Sequence, residues 1–236
     1  MEAVTDFHSH ILPGIDDGSP SVEISIEMLR REAEQGIRHV VATPHFYARY
    51  DDPEAFLTRR DAAEAALRAE MEKHPGLPRL TVGAEVYFFR GMSESELLSQ
   101  LTIGGKKCIL IEMPPAPWSE DYYREVAQIR EKQGILPIIA HIDRYIRPLR
   151  TFGIPRRLET MPVMVQANAE FFLDKATAAL AMKMLKTDQI QLLGSDCHDL
   201  SHRRPNLEAA LERIGEKLGP QALARVREYE CKILGV

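Results

Sequence analysis

The sequence has few cysteines, one tryptophan, no excess of basic residues, no low-complexity tract and no long apolar run. Each absence excludes something. The three cysteines, Cys108, Cys197 and Cys231, are odd in number and scattered, which argues against a disulfide framework and for free thiols in a reducing compartment. No basic segment precedes an apolar stretch at the N-terminus, and no run approaches the roughly eighteen apolar residues of a membrane span, so a cytoplasmic location is expected. With 30 Lys and Arg against 35 Asp and Glu, the formal charge of −5 supplies no basic face for general nucleic-acid or membrane-surface binding. An anionic substrate must be attracted locally. The composition, 44% apolar and 28% charged over 236 residues, predicts one globular domain over residues 1–236.

What is present is a regular alternation. Seven short runs rich in β-branched residues read as strands: AVTDF (3–7), IRHVVAT (37–43), RLTVGAEV (79–86), KCILIEM (107–113), ILPIIAH (135–141), MPVMVQAN (161–168) and QIQLLGS (189–195). Helical patterns lie between them, which predicts an α/β fold with parallel strands and crossover helices. Ser19 with Pro20 is expected to open a first helix that ends at Gly36, with Ile26, Leu29 and Ala33 on one face. Asp52–Pro53 opens a second, carrying Phe56, Ala63, Leu67 and Met71; Ser93 and Glu96 form a candidate capping box; Ser119 opens a helix that stops at Gly134. Two more are expected near 205–216 and 220–232.

The ends of the seven strands carry ligand chemistry. In order they are His8 and His10, His45, Glu85, Glu112, His141, Asn168, and Asp196 with His198. In a barrel of parallel strands the active site forms at that one face, from strand ends and the loops after them. His8 and His10 are two apart on an extended segment, so both rings point the same way and can bind one ion. Asp17 follows on the next loop.

HSHILPGIDDG, ATPH, GAEVY, LIEMP, AHIDRY and GSDCH stand in the order and at roughly the spacings of the polymerase and histidinol phosphatase (PHP) superfamily. Within it the chain resembles the manganese-dependent bacterial protein-tyrosine phosphatases of capsule and exopolysaccharide operons, the CpsB/YwqE type. The resemblance runs from residue 6 to residue 203. It implies a distorted (β/α)7 barrel, the PHP fold, and three divalent metal ions held by His8, His10, Asp17, His45, Glu85, Glu112, His141, Asp196 and His198, with Glu85 or Glu112 bridging two of them. It also implies that Arg144 and Arg203 bind phosphate. The sequence departs from the pattern at Ile142 and Asp143, where Pro and Glu are usual, and at Phe46, where a second histidine is common.

Imidazoles and carboxylates without thiolate suit manganese, iron or zinc rather than a calcium cage, and manganese or iron is favoured. Three divalent ions, four carboxylates and a bridging hydroxide leave the centre at about +1, and about +3 with the two arginines, so an acidic protein can still concentrate a phosphomonoester. In that reading a metal-bridging hydroxide attacks phosphorus in line while metals and arginines hold the equatorial oxygens. The resemblance implies a phosphotyrosine protein as substrate, the tail of a bacterial tyrosine autokinase that regulates polysaccharide export. Histidinol-phosphate phosphatase is the alternative activity, and a non-catalytic PHP scaffold the alternative of another class.

Other residues invite plainer readings. Asp16 reads as a loop or helix-start carboxylate, and His39, His74 and His202 as surface or loop histidines. Gln166 and Asn168 face one side and either hydrogen-bond the ligands or fill space. Tyr87 edges the pocket or packs in the core; Trp118 offers an aromatic rim for a tyrosine ring or, the favoured reading, packs its loop. Cys197 to Arg203 fits the C-x5-R spacing of cysteine-dependent phosphatases, but the loop holds no glycine, contains Asp199, and strand alternation turns the thiol away from Asp196 and His198.

Overall fold

The computed structural model describes residues 4–115, 117–146 and 153–235. Ala3, the first residue of the first expected strand, lies outside them. The strands are β1 (Thr5–Ser9), β2 (His39–Ala42), β3 (His45–Phe46), β4 (Arg79–Val82), β5 (Glu85–Tyr87), β6 (Cys108–Glu112), β7 (Leu136–Ile139), β8 (Met164–Asn168) and β9 (Leu192–Gly194). The helices are α1 (Val22–Glu34), α2 (Pro53–Met71), α3 (Glu120–Gln133), α4 (Gly153–Leu158), α5 (Ala169–Leu173), α6 (Ala178–Lys186), α7 (Leu207–Leu218) and α8 (Pro220–Leu234).

Every strand pairing is parallel, in the orders β1-β2-β4 and β3-β5-β6-β7-β8-β9. The third expected strand is broken in two, and past the end of the second, which holds β2, a further short strand, β3, carries His45. Thr43–Pro44 separates β2 from β3, where proline has no N–H to give the ladder, and Gly83–Ala84 separates β4 from β5. The pairing resumes across the break, because Gly83 N donates to Ala42 O and Glu85 N to Pro44 O. The circle closes where the first strand meets the chain past the last: Asp196 N donates to His8 O at 2.8 Å, and His10 N to Cys197 O at 2.9 Å. Seven strand positions thus form the expected distorted barrel, and all their C-terminal ends share one rim.

A register shift between Asp6 and Ser9 marks a bulge in β1. Asp6 contacts Glu32 of α1, whereas Phe7 joins an inner cluster with Val41, Leu110, Ile138 and Leu192. Ile103 and the α8 residues Ile233 and Leu234 complete that cluster at the N-terminal ends of the strands. The larger apolar core lies between the outer strand faces and the helices, with Leu29, Phe56, Leu67, Val126 and Ile214 buried in it.

Helix starts follow the local chemistry with two corrections. Asp52 caps α2 by accepting from Ala55 N at 2.9 Å, with Pro53 at the first position. α1 starts later than expected: Ser21, not Ser19, is its cap, and Ser19 bonds the Ser21 carbonyl and receives a bond from Ser25. No capping box joins Ser93 to Glu96. Ser93 sits in a short 3-10 turn, Met92–Glu94, and its N–H goes to Glu125 of α3 instead. α3 ends at Gly134, whose φ of 67° is the left-handed conformation glycine adopts freely. His39 corrects another expectation. It is a buried strand residue, with Nε2 2.7 Å from Thr81 Oγ1, because its side chain alternates inward; burial and Arg79 push its pKa down to about 4.

Candidate metal centre

The nine residues expected as ligands come together at the rim, around Glu85. Glu85 Oε2 lies 3.3 Å from His8 Nε2, 3.4 Å from His10 Nε2 and 2.9 Å from His45 Nδ1; its Oε1 lies 2.7 Å from His141 Nε2. Asp196 Oδ1 is 3.6 Å from His8 Nε2 and 3.5 Å from His10 Nε2. Glu112 stands on the far side, 3.8 Å from His141 Nε2 and 3.9 Å from His45 Nδ1. Asp17 covers the mouth with its side chain 67% exposed, its Oδ1 3.5 Å from His45 Nε2 and 3.4 Å from His198 Nε2.

The backbone makes room for this crowding. A Cβ on Gly194 would lie 2.7 Å from the Cβ of His8, so β9 approaches β1 closely only as glycine. His141 and Asp196 hold φ angles of 30° and 54°, which are costly for residues with a Cβ and cluster at functional sites.

A second layer of side chains fixes the rings. Gln166 Oε1 accepts from His141 N at 2.6 Å and meets His8 Nδ1 at 3.3 Å, so His8 carries its proton on Nδ1. Gln166 Nε2 donates to Asn168 Oδ1, and Asn168 Nδ2 to Asp196 Oδ2, both at 3.0 Å. These two residues therefore hold the ligand shell rather than fill space. Asp16 is more than a loop carboxylate: its Oδ2 lies 2.7 Å from His10 Nδ1 and accepts from His45 N at 3.0 Å. It fixes the His10 ring just as a carboxylate behind a metal-bound histidine does. The sequence offered one sign of this, the neighbouring Asp17, but not the division of labour between them.

With both Nδ1 atoms committed, the Nε2 lone pairs of His8 and His10 face each other at 3.1 Å. Such a pair needs a cation between them. The surrounding field asks for one: burial disfavours a charged His10, yet Asp16, Asp196 and Glu85 hold its pKa well above the imidazole range. Glu85 and Asp196 are likewise held low against burial by the histidines. His198 Nδ1 meets the Asp196 carbonyl at 3.0 Å, leaving its buried Nε2 without a hydrogen bond. Glu85 Oε2, Glu112 Oε2 and His45 Nδ1 are also buried without a hydrogen bond. One shared proton cannot satisfy so many inward-facing acceptors. Hard oxygen and imidazole donors of this kind fit divalent first-row metal ions.

Two cations edge the centre. Arg144 Nη2 donates to Asp196 Oδ2 at 2.5 Å, and Arg203 Nη2 donates to Asp196 Oδ1 at 2.8 Å. Both guanidinium groups remain more than a third exposed, which leaves them open to an incoming anion. Trp118 packs on Tyr123 and Tyr145 and donates to Pro114 O at 2.8 Å, a loop-packing residue as expected. His74 and His202 stay at the surface, away from the centre.

Cys197 points away from the metal-type ligands, although not for the expected reason. β9 ends at Gly194, and the left-handed turn at Asp196, rather than simple strand alternation, sends the thiol into the protein. It is completely buried, 4.0 Å from Glu32 Oε1, and burial together with Glu32 and Asp6 pushes its pKa well above the usual thiol value. A thiol so placed is a poor nucleophile. Cys197→Ser is expected to retain most of the activity the resemblance implies, measured with phosphotyrosine peptide; an inactive variant with its full metal complement would reverse that reading.

Among the described residues, no helix is long and apolar enough to cross a membrane. The chain is similar to the tyrosine-protein phosphatase CpsB of Streptococcus agalactiae, 26% identical over 229 residues that cover 92% of this chain and 91% of that protein. It is also similar to the tyrosine-protein phosphatase YwqE of Bacillus subtilis, 28% identical over 222 residues, covering 92% and 85%. A solved structure described as YwqE of Bacillus subtilis and CpsB of Streptococcus pneumoniae, "unique metal-dependent tyrosine phosphatases", shares the fold, with a TM-score of 0.80, 24% identity, and coverage of 95% of this chain and 92% of that one. The model of the family described as "Capsular polysaccharide synthesis, CpsB/CapC" matches residues 4–232, nearly the whole described chain, and the protein belongs to that family.

Proposed function

We propose that this protein is a metal-dependent phosphomonoester hydrolase that removes phosphate from tyrosine in proteins. The observation that carries this reading is the ring of inward-facing imidazole and carboxylate donors around Glu85, flanked by two exposed arginine forks. The donors gather in overlapping groups: His10 with Asp17, His45 and His198; His8 and His10 with Glu85, beside Asp196; and His45 with Glu85 and Glu112, beside His141. Glu85 belongs to two of these groups and is the proposed bridge, and three divalent ions are proposed, manganese or iron before zinc.

Divalent ions held there acidify water at neutral pH and offset the charge of a phosphate. The chain's own residues do the rest. Arg144 and Arg203 each present a planar donor fork, and together they orient the phosphate oxygens from the Asp196 side. Gln166, Asn168 and Asp16 keep the rings and carboxylates aimed at one point without rearrangement. A phenolate leaves with little protonic assistance, so an aryl ester asks for no separate general acid.

The names of the CpsB and YwqE relatives support phosphotyrosine as substrate. The tail of a tyrosine autokinase in the cytoplasm is proposed as partner, with capsule or exopolysaccharide synthesis as the setting. Metal content of freshly purified protein should be measured beside hydrolysis of phosphotyrosine peptide and histidinol phosphate. The expected result is bound manganese or iron, preference for the peptide, and loss of at least about a hundredfold in rate on chelation, restored by manganese. Unchanged turnover after the metals are stripped would sink the proposal.

A further inference from the structure

The strand register extends the site beyond its ligands. β3 and β5 pair with His45 opposite Glu85 and Phe46 opposite Val86. Tyr87 ends β5, two residues after Glu85 and so on its face, and Tyr47 directly follows β3, two residues after His45, with its ring brought against those of His45 and Tyr87. Two phenol rings therefore stand one step above two ligands. The Tyr47 ring lies 5.3 Å from the His45 ring and 5.6 Å from the Tyr87 ring.

Both rings are half-buried. The segment that carries Tyr47 is fixed in advance: Tyr47 N donates to Asp51 Oδ2 at 2.7 Å, and Tyr47 O accepts from Tyr50 N at 2.8 Å. That turn places Tyr50 beside them, 78% exposed, the large apolar side chain most open to solvent among the described residues.

We propose that Tyr47 and Tyr87 form an aromatic wall that stacks on the ring of an aryl phosphate and selects it over alkyl phosphates, with Tyr50 as its outer edge. The inference rests on the phosphatase reading of the metal centre and assigns the residues that choose its substrate. An aryl ring begins one bond beyond the ester oxygen, so a wall within a ring's width of His45 meets it, whereas a short alkyl chain passes below. Tyr47 and Tyr87 are binding residues and take no part in proton transfer.

The test uses the metal-loaded protein with two esters, phosphotyrosine and phosphoserine peptides of the same sequence, and two inert analogues, benzylphosphonate and methylphosphonate. In Tyr47→Ala and Tyr87→Ala the aryl-to-alkyl ratio of kcat/KM is expected to fall about threefold to tenfold, carried by KM, on the scale of one lost aromatic pair. Calorimetric binding should show the same loss of preference for benzylphosphonate, independent of turnover. Tyr47→Phe and Tyr87→Phe keep the ring and should restore both ratios. Equal losses for aryl and alkyl ligands, or ratios that do not move, would overturn the wall while leaving the phosphatase reading intact. Wild-type protein that hydrolyses neither ester overturns both.

Discussion

Glu85→Gln is expected to lose metal and activity together, by about a thousandfold or more in kcat/KM, because one substitution withdraws the charge that four histidines face. The amide has nearly the shape of the carboxylate, so packing is spared and the loss reports on charge. It leaves the ring of imidazoles around a neutral group. Ion binding also adds to folding free energy, by an amount that grows with the logarithm of ion concentration over Kd. Chelator should therefore lower the Tm of the wild-type protein and leave that of Glu85→Gln nearly unmoved. Elemental analysis and thermal melts with and without chelator check both points. A Glu85→Gln protein that holds the wild-type number of ions would remove Glu85 from its proposed bridging place.

Arg144→Ala and Arg203→Ala should act in the opposite pattern, with metal retained and catalysis impaired. Each loses one guanidinium that bonds a separate oxygen of Asp196 at the edge of the centre. The expected fall in kcat/KM is roughly tenfold to a thousandfold for each, the scale of one or two charge-assisted hydrogen bonds to a phosphate. Lysine restores charge without the planar fork and should not rescue either position. Inhibition by inorganic phosphate offers a direct reading, since weaker inhibition in both variants ties them to the anion. Wild-type kinetics in either would take that arginine out of the site.

Much of this was legible from the sequence because strand ends are sequence-local. A β-branched run followed by His8, His45, Glu85, Glu112, His141 or Asp196 states both a strand and what stands at its rim, and parallel pairing then brings the ends together. The breaks after β2 and β4 were harder to foresee. Gly83 falls inside a run whose hydrophobic pattern continues past it, and Pro44 ends one run just before two residues, His45 and Phe46, that pair as a strand of their own. The choice between Ser19 and Ser21 as cap turned on where Ser25 sends its hydroxyl, a tertiary detail. Asp16 was misjudged because adjacent carboxylates look alike in a string, and only the fold shows that one faces His10 Nδ1 and the other the mouth. The buried neighbours Asp6, Glu32 and Cys197 come from three separate parts of the chain. No local pattern announces such a meeting.

The seam that closes the barrel has a consequence for the order of events in the life of the chain. Ser195 and Asp6 are bonded across 189 residues, and the adjoining seam bonds tie His8 and His10 to Asp196 and Cys197. Synthesis proceeds from the N-terminus at about 5–20 residues per second. His8 and His10 therefore emerge from the ribosome ~10 s or more before the carboxylate that completes their group. A nascent chain offers isolated histidines with no selectivity among metals, and the ordered geometry exists only after the last strand docks on the first. In the proposed reading, the geometry that selects an ion is then a property of the finished barrel rather than of the emerging chain.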